Sequence, residues 1–166
     1  MVIMSKNLYI RTYGCQMNER DSEIAEQLLA LEGYGPTDSL DDADVILINT
    51  CSIREKAAQK VYSLLGQLRE AKAKKPSLLI GVAGCVAQQD GEQMASRMPH
   101  VDLIVGTQQI HRLPEMLDRL RRRETSREIA TDLDASFPIP AFQKLLIDAP
   151  LSSAPDNYRR FVTIMQ

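Results

Sequence analysis

The sequence lacks two features that would place the protein in a membrane or on nucleic acid. No stretch of its 166 residues approaches the run of about 20 apolar residues that a membrane-spanning helix needs, and residues 1–6 do not resemble a secretory signal. Its 20 basic and 22 acidic residues give a net charge of −2, whereas domains that bind nucleic acid are usually strongly basic. We therefore expect a cytoplasmic protein, whose affinity for any nucleic acid must come from something other than net charge.

Cysteine and histidine are both scarce. The three cysteines are Cys15, Cys51 and Cys85, and an odd number in a cytosolic protein argues against a disulfide framework. They do not form the close C-x2-C pairs that structural zinc sites commonly use. Neither histidine, His100 or His111, follows a predicted strand, and we predict that neither is a metal ligand. The thiols are thus expected to be metal-bound or catalytic, or else buried as small hydrophobic side chains.

Short apolar runs alternate with amphipathic stretches over the first two-thirds of the chain, a pattern typical of a parallel sheet flanked by helices. The runs that predict strands are residues 8–13, 45–48, 78–82 and 101–105. Right-handed crossovers between parallel strands place helices on both faces of such a sheet. The sequence therefore predicts an α/β fold over roughly residues 6–123, an open and mostly parallel four-stranded sheet whose fourth strand lies nearer an edge.

Local signals mark where the predicted helices begin and end. Gly33 and Pro36 are expected to stop the first helix, because Gly accepts a left-handed cap and Pro cannot continue a helix. Ser52 and Glu55 form a capping box that predicts the start of the second helix. Pro114 suits the first turn of the last predicted helix.

The composition changes after residue 124. Four of the eight prolines fall between residues 138 and 155, which is typical of a linker with little structure of its own. Residues 158–166 then begin to resemble a strand. We therefore predict a domain over residues 1–123, a proline-rich linker over 124–157, and the start of a truncated second domain at 158–166.

Each cysteine follows one of the predicted strands. In open α/β sheets the carboxyl ends of the strands form the edge at which ligands bind, so the three thiols could converge on one spot. Gly14 and Gly84 directly precede two of them and allow close approach of the backbone. The helix predicted after Cys51 would turn its positive end toward that thiolate. Soft sulfur ligands select zinc, copper(I) or an iron–sulfur cluster, and three of them without a fourth fit a four-iron cluster with one open iron.

Three motifs carry a family resemblance. They are YGCQMNERDS at residues 13–22, INTCSIR at 48–54 and GVAGCVAQ at 81–88. Together, and in this order, they closely resemble the methylthiotransferases over roughly residues 6–149. The resemblance implies that Cys15, Cys51 and Cys85 ligate an auxiliary 4Fe-4S cluster. It also implies that a radical S-adenosylmethionine domain with a second 4Fe-4S cluster follows, then a small RNA-binding domain. Residues 161–166 are similar to the lead-in to the radical motif.

Residues 16–19 (QMNE) resemble the branch of the family that modifies isopentenyl-adenosine in tRNA. The ribosomal-protein and threonylcarbamoyl-adenosine branches are the alternatives. In the implied reaction a deoxyadenosyl radical, made by the following domain, abstracts hydrogen from adenine and the auxiliary cluster supplies the methylthio group. The implied partners are tRNA and a sulfur donor, and we expect a monomer without membrane association. No catalytic residue is expected in this fragment, which alone should be inactive.

Other polar residues near the motifs each have a functional and a structural interpretation. Asn49 and Thr50 could donate hydrogen bonds to cluster sulfurs, or could simply complete the turn after a strand. Gln88 has the same two readings. Asn18 and Asp21 are better explained as helix caps than as substrate contacts.

Arginines form the main concentration of positive charge, after the last predicted strand. Cations at a helix carboxyl end are favourable because of the helix dipole alone, so a solvated face is the first interpretation and contact with tRNA the second. The residues are Arg119, Arg121, Arg122, Arg123 and Arg127.

Three other functions are alternatives to the one that the family resemblance implies. The cysteines could hold zinc or a redox cluster in a non-catalytic module, which metal analysis would reveal. A nucleotide-binding domain is disfavoured because the sequence contains neither G-x-G-x-x-G nor G-x4-G-K-[ST]. Thiol catalysis is disfavoured because no histidine lies near a cysteine in the sequence.

Overall fold

Six parallel strands form one sheet in the computed structural model, which describes residues 6–51 and 55–132. The strands are β1 (Lys6–Tyr13), β2 (Tyr34–Pro36), β3 (Val45–Thr50), β4 (Leu79–Gly84), β5 (Leu103–Val105) and β6 (Glu128–Ala130). They lie in the order β2-β1-β3-β4-β5-β6. β2 is therefore added on one side of β1, and β3 and the later strands are added on its other side. This reversal is the topological switch point at which open α/β sheets bind ligands.

Helices cover both faces of the sheet. They are α1 (Gln16–Leu31), α2 (Glu55–Lys74), α3 (Cys85–Arg97), a 3-10 helix (Thr107–Arg112) and α4 (Leu113–Arg121). One apolar cluster joins α1 and α4 to the sheet, and a second cluster joins α2 and α3 to the opposite face. All six residues of β3 and all six of β4 are consequently buried, which explains their continuous apolar sequences. The predicted α/β class, the parallel sheet and the two helical faces are confirmed.

The predicted number of strands is wrong, since the sheet has six strands and not four. β2 is not predicted because residues 33–36 have the sequence of a helix stop. That stop is confirmed, since Gly33, with φ +84°, ends the turn after α1. The same short segment then pairs with Lys6–Leu8. β5 lies between β4 and β6 and is not an edge strand.

The last strand bears on the predicted domain boundary at residue 123. β6 pairs with β5 in parallel, although residues 124–157 read as linker. Its three residues contain a glutamate and an alanine, which have low strand propensity, so pairing within the sheet and not local preference defines this strand. The rest of the predicted linker beyond residue 132, the strand-like residues 158–166, and Ser52 of the predicted capping box lie outside the described residues.

The observed helix starts agree in part with the signals predicted from the sequence. Pro114 lies in the first turn of α4, as predicted. Cys15 is the N-cap of α1, and Cys85 is the first residue of α3. Within the described ranges, every helix is too short or too polar to cross a membrane.

Candidate functional site

The strand register aligns the residues that precede the cysteines. Tyr13 pairs with Thr50, and Thr50 pairs with Gly84. Neighbouring strands are about 4.8 Å apart, so the three strand ends form one compact edge, and the switch point between β1 and β3 lies within it. Directly after Thr50 and Gly84, and two positions after Tyr13, come the cysteines Cys51, Cys85 and Cys15.

The three thiols differ in their surroundings. Cys15 is exposed, Cys51 is only 3% exposed, and Cys85 is partly buried. None of the three forms a disulfide. Across residues 6–51 and 55–132, the side chains of His, Cys, Asp and Glu do not form a group of three or more placed to hold a metal ion. The topology thus brings the cysteine backbones to one edge, while the thiol groups themselves are not arranged as a ligand sphere.

Two glycines permit the close approach at this edge. Gly14 has φ +141° and Gly84 has φ +94°, in the region that L side chains rarely adopt. A Cβ atom on Gly14 would lie 2.5 Å from the Cβ of Cys51 and 2.6 Å from Oδ1 of Asn18. One on Gly84 would lie 2.4 Å from the carbonyl oxygen of Thr50. Both glycines are therefore required for the cysteines to follow their strands where they do.

A buried amide pair underlies the first cysteine. Asn18 is 1% exposed and Asn49 is 0% exposed. Nδ2 of Asn18 donates to Oδ1 of Asn49 at 3.1 Å, and Nδ2 of Asn49 donates to the carbonyl oxygen of Asn18 at 2.7 Å and to Oγ of Ser22 at 2.9 Å. Oδ1 of Asn18 accepts from the backbone N–H of Cys15 at 3.3 Å and from its Sγ at 3.4 Å. The start of α1 is thereby attached to the end of β3.

The hydrogen bond from the backbone N–H of Cys15, the N-cap of α1, confirms the helix-cap interpretation of Asn18. The contact of Asn18 with Asn49 was not predicted from the sequence. A signal for it was present on the buried face of α1, where Asn18, Ser22, Ala25 and Leu29 follow one another at helical spacing. The two residues nearest the cysteine are polar and the two beyond are apolar. Buried polar groups need partners, so that pattern implied a polar partner at the strand ends, which is Asn49.

The other predicted site residues lie in three different places. Thr50 is at the cysteine edge, and its buried Oγ1 has no hydrogen-bond partner within the described part of the chain. Nε2 of Gln88 donates to the carbonyl oxygen of Thr131 and so connects α3 to the segment after β6. The ring Nε2 of His100 lies 2.6 Å from the carbonyl oxygen of Leu65, and His111 lies in the 3-10 helix. Neither histidine belongs to a metal-holding group of the described residues.

Asp21 is not a helix cap, because it lies inside α1, well after its N-cap. Burial raises the pKa of Asp21 to about 6, and the nearby charge of Arg20 offsets only part of the shift. The folded state therefore holds this proton more tightly than the unfolded state, so the free energy of unfolding falls as pH rises from about 4 to about 6 and stays low above that range.

We expect Asp21→Asn to raise the free energy of unfolding by about 2 kcal/mol at neutral pH and to have little effect below about pH 4. Urea unfolding at both pH values measures this. Asp41→Asn removes an exposed carboxylate from the loop before β3 and should change stability little at either pH. An equal gain from Asp21→Asn at both pH values would contradict the assignment.

The arginines of the basic segment make intramolecular contacts at the opposite edge of the sheet, where the strands begin. Arg119 forms an ion pair with Glu128 at 2.8 Å, and Nε of Arg121 donates to the hydroxyl of Tyr34 at 2.7 Å. Arg127 donates to three backbone carbonyls, those of Val101, Ala95 and Pro99. Arg119, Arg121 and Arg127 are therefore held by contacts within the fold and do not form the solvated face that was the first interpretation, while contact of the segment with tRNA stays a prediction.

Comparison with known proteins gives one matching family model, described as "Uncharacterized protein family UPF0004", over residues 7–106. Among curated relatives, proteins named tRNA-2-methylthio-N(6)-dimethylallyladenosine synthase are similar to the chain. The one from Desulfotalea psychrophila is 48% identical over 97% of this chain and 35% of its own length. Those from Herminiimonas arsenicoxydans and Paraburkholderia phytofirmans are 56% and 49% identical, over 81% and 98% of this chain and 29% and 34% of their own lengths.

These names confirm the resemblance to methylthiotransferases that the three cysteine motifs indicated. The chain spans about a third of the length of the relatives that it matches. The matched family model covers the three cysteines and β1 through β5. The chain therefore belongs to the protein family UPF0004.

Proposed function

We propose that this chain is the amino-terminal, cluster-binding domain of a tRNA methylthiotransferase. The enzyme would insert a methylthio group at an adenine C–H of isopentenyl-modified adenosine, the nucleoside that the relatives' names call dimethylallyladenosine. The observation that carries the proposal is the alignment of Tyr13, Thr50 and Gly84 across three neighbouring strands. It delivers a cysteine from each strand to the switch-point edge, the place where this class of sheet binds its ligands.

The residues at that edge suit a four-iron cluster in their chemistry. Three thiols from three strands supply soft ligands, and a fourth thiol does not exist in the sequence. The hydroxyl of Thr50, which has no hydrogen-bond partner among the described residues, is a donor of the kind that can tune such a cluster. Cys15, Cys51 and Cys85 would hold the cluster, which when bound would supply an iron with no protein ligand where sulfur for the substrate can be carried.

The surrounding residues of the chain would position and shield these ligands. The buried amides of Asn18 and Asn49 attach the exposed Cys15 to β3, so that this thiol stays close to the other two strand ends. Cys51 is almost excluded from water. S-adenosylmethionine and the second 4Fe-4S cluster would belong to a further domain of the enzyme. Without it this chain would bind its cluster but would not modify tRNA.

Iron analysis of the 166-residue chain tests the proposal. After anaerobic reconstitution with iron and sulfide, we expect about four irons and matching labile sulfide per chain. Cys15→Ala, Cys51→Ala and Cys85→Ala should each lose most of this iron because each removes one of only three ligands. Far-UV circular dichroism of each metal-free variant controls for folding. The matched control is Thr37→Ala, a small polar residue that follows β2 and whose backbone N–H donates to the carbonyl oxygen of Leu8, five residues before Tyr13. This variant should keep the full amount of iron.

Three results would contradict the proposal. Zinc bound without labile sulfide would indicate a non-catalytic metal module. Full iron binding by any one folded cysteine variant would remove that cysteine from the ligand set. Iron absent both from this chain and from a longer form of the protein would exclude the shared cluster.

A further inference from the structure

A groove of about 640 Å³ lies between β1 and α2, outside the cysteine site. Tyr9, Arg11 and Tyr13 line one wall, because alternate residues of a strand point to the same face. β2 flanks β1 only along Lys6–Leu8, so this part of β1 lies at the margin of the sheet. α2 packs over β3 on this face, which leaves the outer strand uncovered.

The groove is positively charged although the chain as a whole is not. Arg11, Lys56 and Lys60 are among its ten lining residues, and none of the ten is acidic. Lys56 and Lys60 are four residues apart on α2 and so lie on one face of the helix. Neither lysine forms an ion pair with any part of the chain that the structure describes. Lys72, elsewhere on the same helix, does form one, with Asp102 at 2.8 Å.

Aromatic rings are interleaved with these cations. The guanidinium carbon of Arg11 lies 5.5 Å from the centre of the Tyr13 ring, and its Nη1 donates to the hydroxyl of Tyr9 at 3.4 Å. The rest of the lining consists of Gln59, Ser63 and Gln67 with two leucines, Leu40 and Leu64. Cations for phosphates, flat rings for base stacking and amides for base edges are the features with which proteins bind single-stranded nucleic acid.

The groove opens toward the edge that carries the cysteines. Tyr13 is the last residue of β1, one position before Gly14, and Lys56 lies in the first turn of α2. A strand of nucleic acid that followed the groove would therefore lead to the edge where Cys15 and Cys51 lie.

We propose that this groove binds a single-stranded segment of RNA, with its phosphates at Arg11, Lys56 and Lys60 and a base against Tyr9 or Tyr13. The inference rests on the proposed function, since it assigns part of the binding of the RNA substrate to this domain. It also explains how a chain with net charge −2 can attract a polyanion, because the positive charge is local and the groove is not lined by carboxylates.

Fluorescence anisotropy with a labelled hairpin RNA that has a single-stranded loop tests the groove, with the metal-free 166-residue chain at low salt. Lys56→Gln combined with Lys60→Gln should weaken binding about tenfold. It should also lower the slope of log affinity against log salt by about 0.7 for each lysine. The matched control, Arg122→Gln with Arg123→Gln, removes the same charge at the opposite edge and should change affinity less than about twofold.

A second variant separates specific contact from charge attraction. Tyr13→Leu keeps the apolar packing against the core but removes the stacking face, and should weaken binding about fivefold or more at unchanged salt slope. Urea unfolding of each variant verifies that the fold is retained.

Equal weakening by both double variants would overturn the proposal in favour of diffuse attraction, and weakening by the arginine pair alone would move the site to the basic segment. No binding by the wild-type chain would also overturn it. Because RNA is measured without metal and iron without RNA, either proposal can fail while the other stands.

Discussion

Gly84→Ala is expected to lower the free energy of unfolding by about 4 kcal/mol or more, from backbone strain combined with overpacking. At φ +94° and ψ −164° the residue occupies a conformation that is essentially restricted to glycine. The new methyl group would also lie 2.4 Å from the Thr50 carbonyl oxygen and 3.0 Å from its nitrogen. These are backbone atoms of β3, which is paired on both sides and cannot move aside as a flexible side chain could.

The matched control is Gly66→Ala within α2. Among the described residues, no atom outside the neighbouring turns of α2 itself lies within 4 Å of a Cβ placed there, so alanine should raise the free energy of unfolding by about 0.5 to 1 kcal/mol through its better helix propensity. Urea denaturation followed by circular dichroism measures both variants. Near wild-type stability of Gly84→Ala would show that β3 and β4 do not approach as closely at their carboxyl ends as the structure has them.

Asn49→Ala is expected to lower the free energy of unfolding by about 3 kcal/mol. The substitution removes three buried hydrogen bonds at once and leaves both the side-chain amide and the carbonyl oxygen of Asn18 without these partners. It also removes the donor to Ser22. Unsatisfied buried groups lose their hydration without compensation, so the cost exceeds that of an exposed hydrogen bond.

Asn7→Ala is the control for this prediction. Asn7 also lies in a strand and donates from Nδ2 to the carbonyl oxygen of Asp42 at 3.0 Å, but it is exposed, so water can replace the contact. We expect a loss below about 1 kcal/mol. Equal losses for the two variants would show that the amide pair adds nothing beyond an ordinary surface contact. Asn49→Asp should remain destabilising, because a carboxylate cannot donate to the Asn18 carbonyl.

The strands that could be predicted from the sequence are those buried on both faces. β3 and β4 have continuous apolar sequences because helices cover both of their sides. β2 and β6 have three residues each and include Gly35, Pro36 and Glu128, which disfavour strands locally. Their conformation comes from pairing with β1 and β5 after the sheet has formed. Such non-local stabilisation leaves no pattern in the short segments themselves.

The candidate site divides in the same way. The location of each cysteine after a strand could be predicted, because it depends on one segment at a time. The contact between Asn18 and Asn49 spans 31 residues, and the groove combines β1 with α2. The alternation of Tyr9, Arg11 and Tyr13 was visible in the sequence, but its meaning depends on α2 leaving that face of β1 open. Neither the contact between Asn18 and Asn49 nor the groove could be predicted from a local sequence pattern, because each depends on how the crossover connections bring distant elements together.

The contact between Arg121 and Tyr34 has a consequence for the order in which the chain can assemble. These residues are 87 positions apart, and the ring of Tyr34 lies in the same apolar cluster as Leu29 of α1 and Leu113 of α4. During synthesis, the amino-terminal third emerges with only α1 available to cover this face of the sheet, and the part that α4 covers stays open until α4 has left the ribosome. Contacts of such long sequence separation slow folding. The nascent chain must therefore fold as one late unit, and its early strands need protection from wrong partners until then.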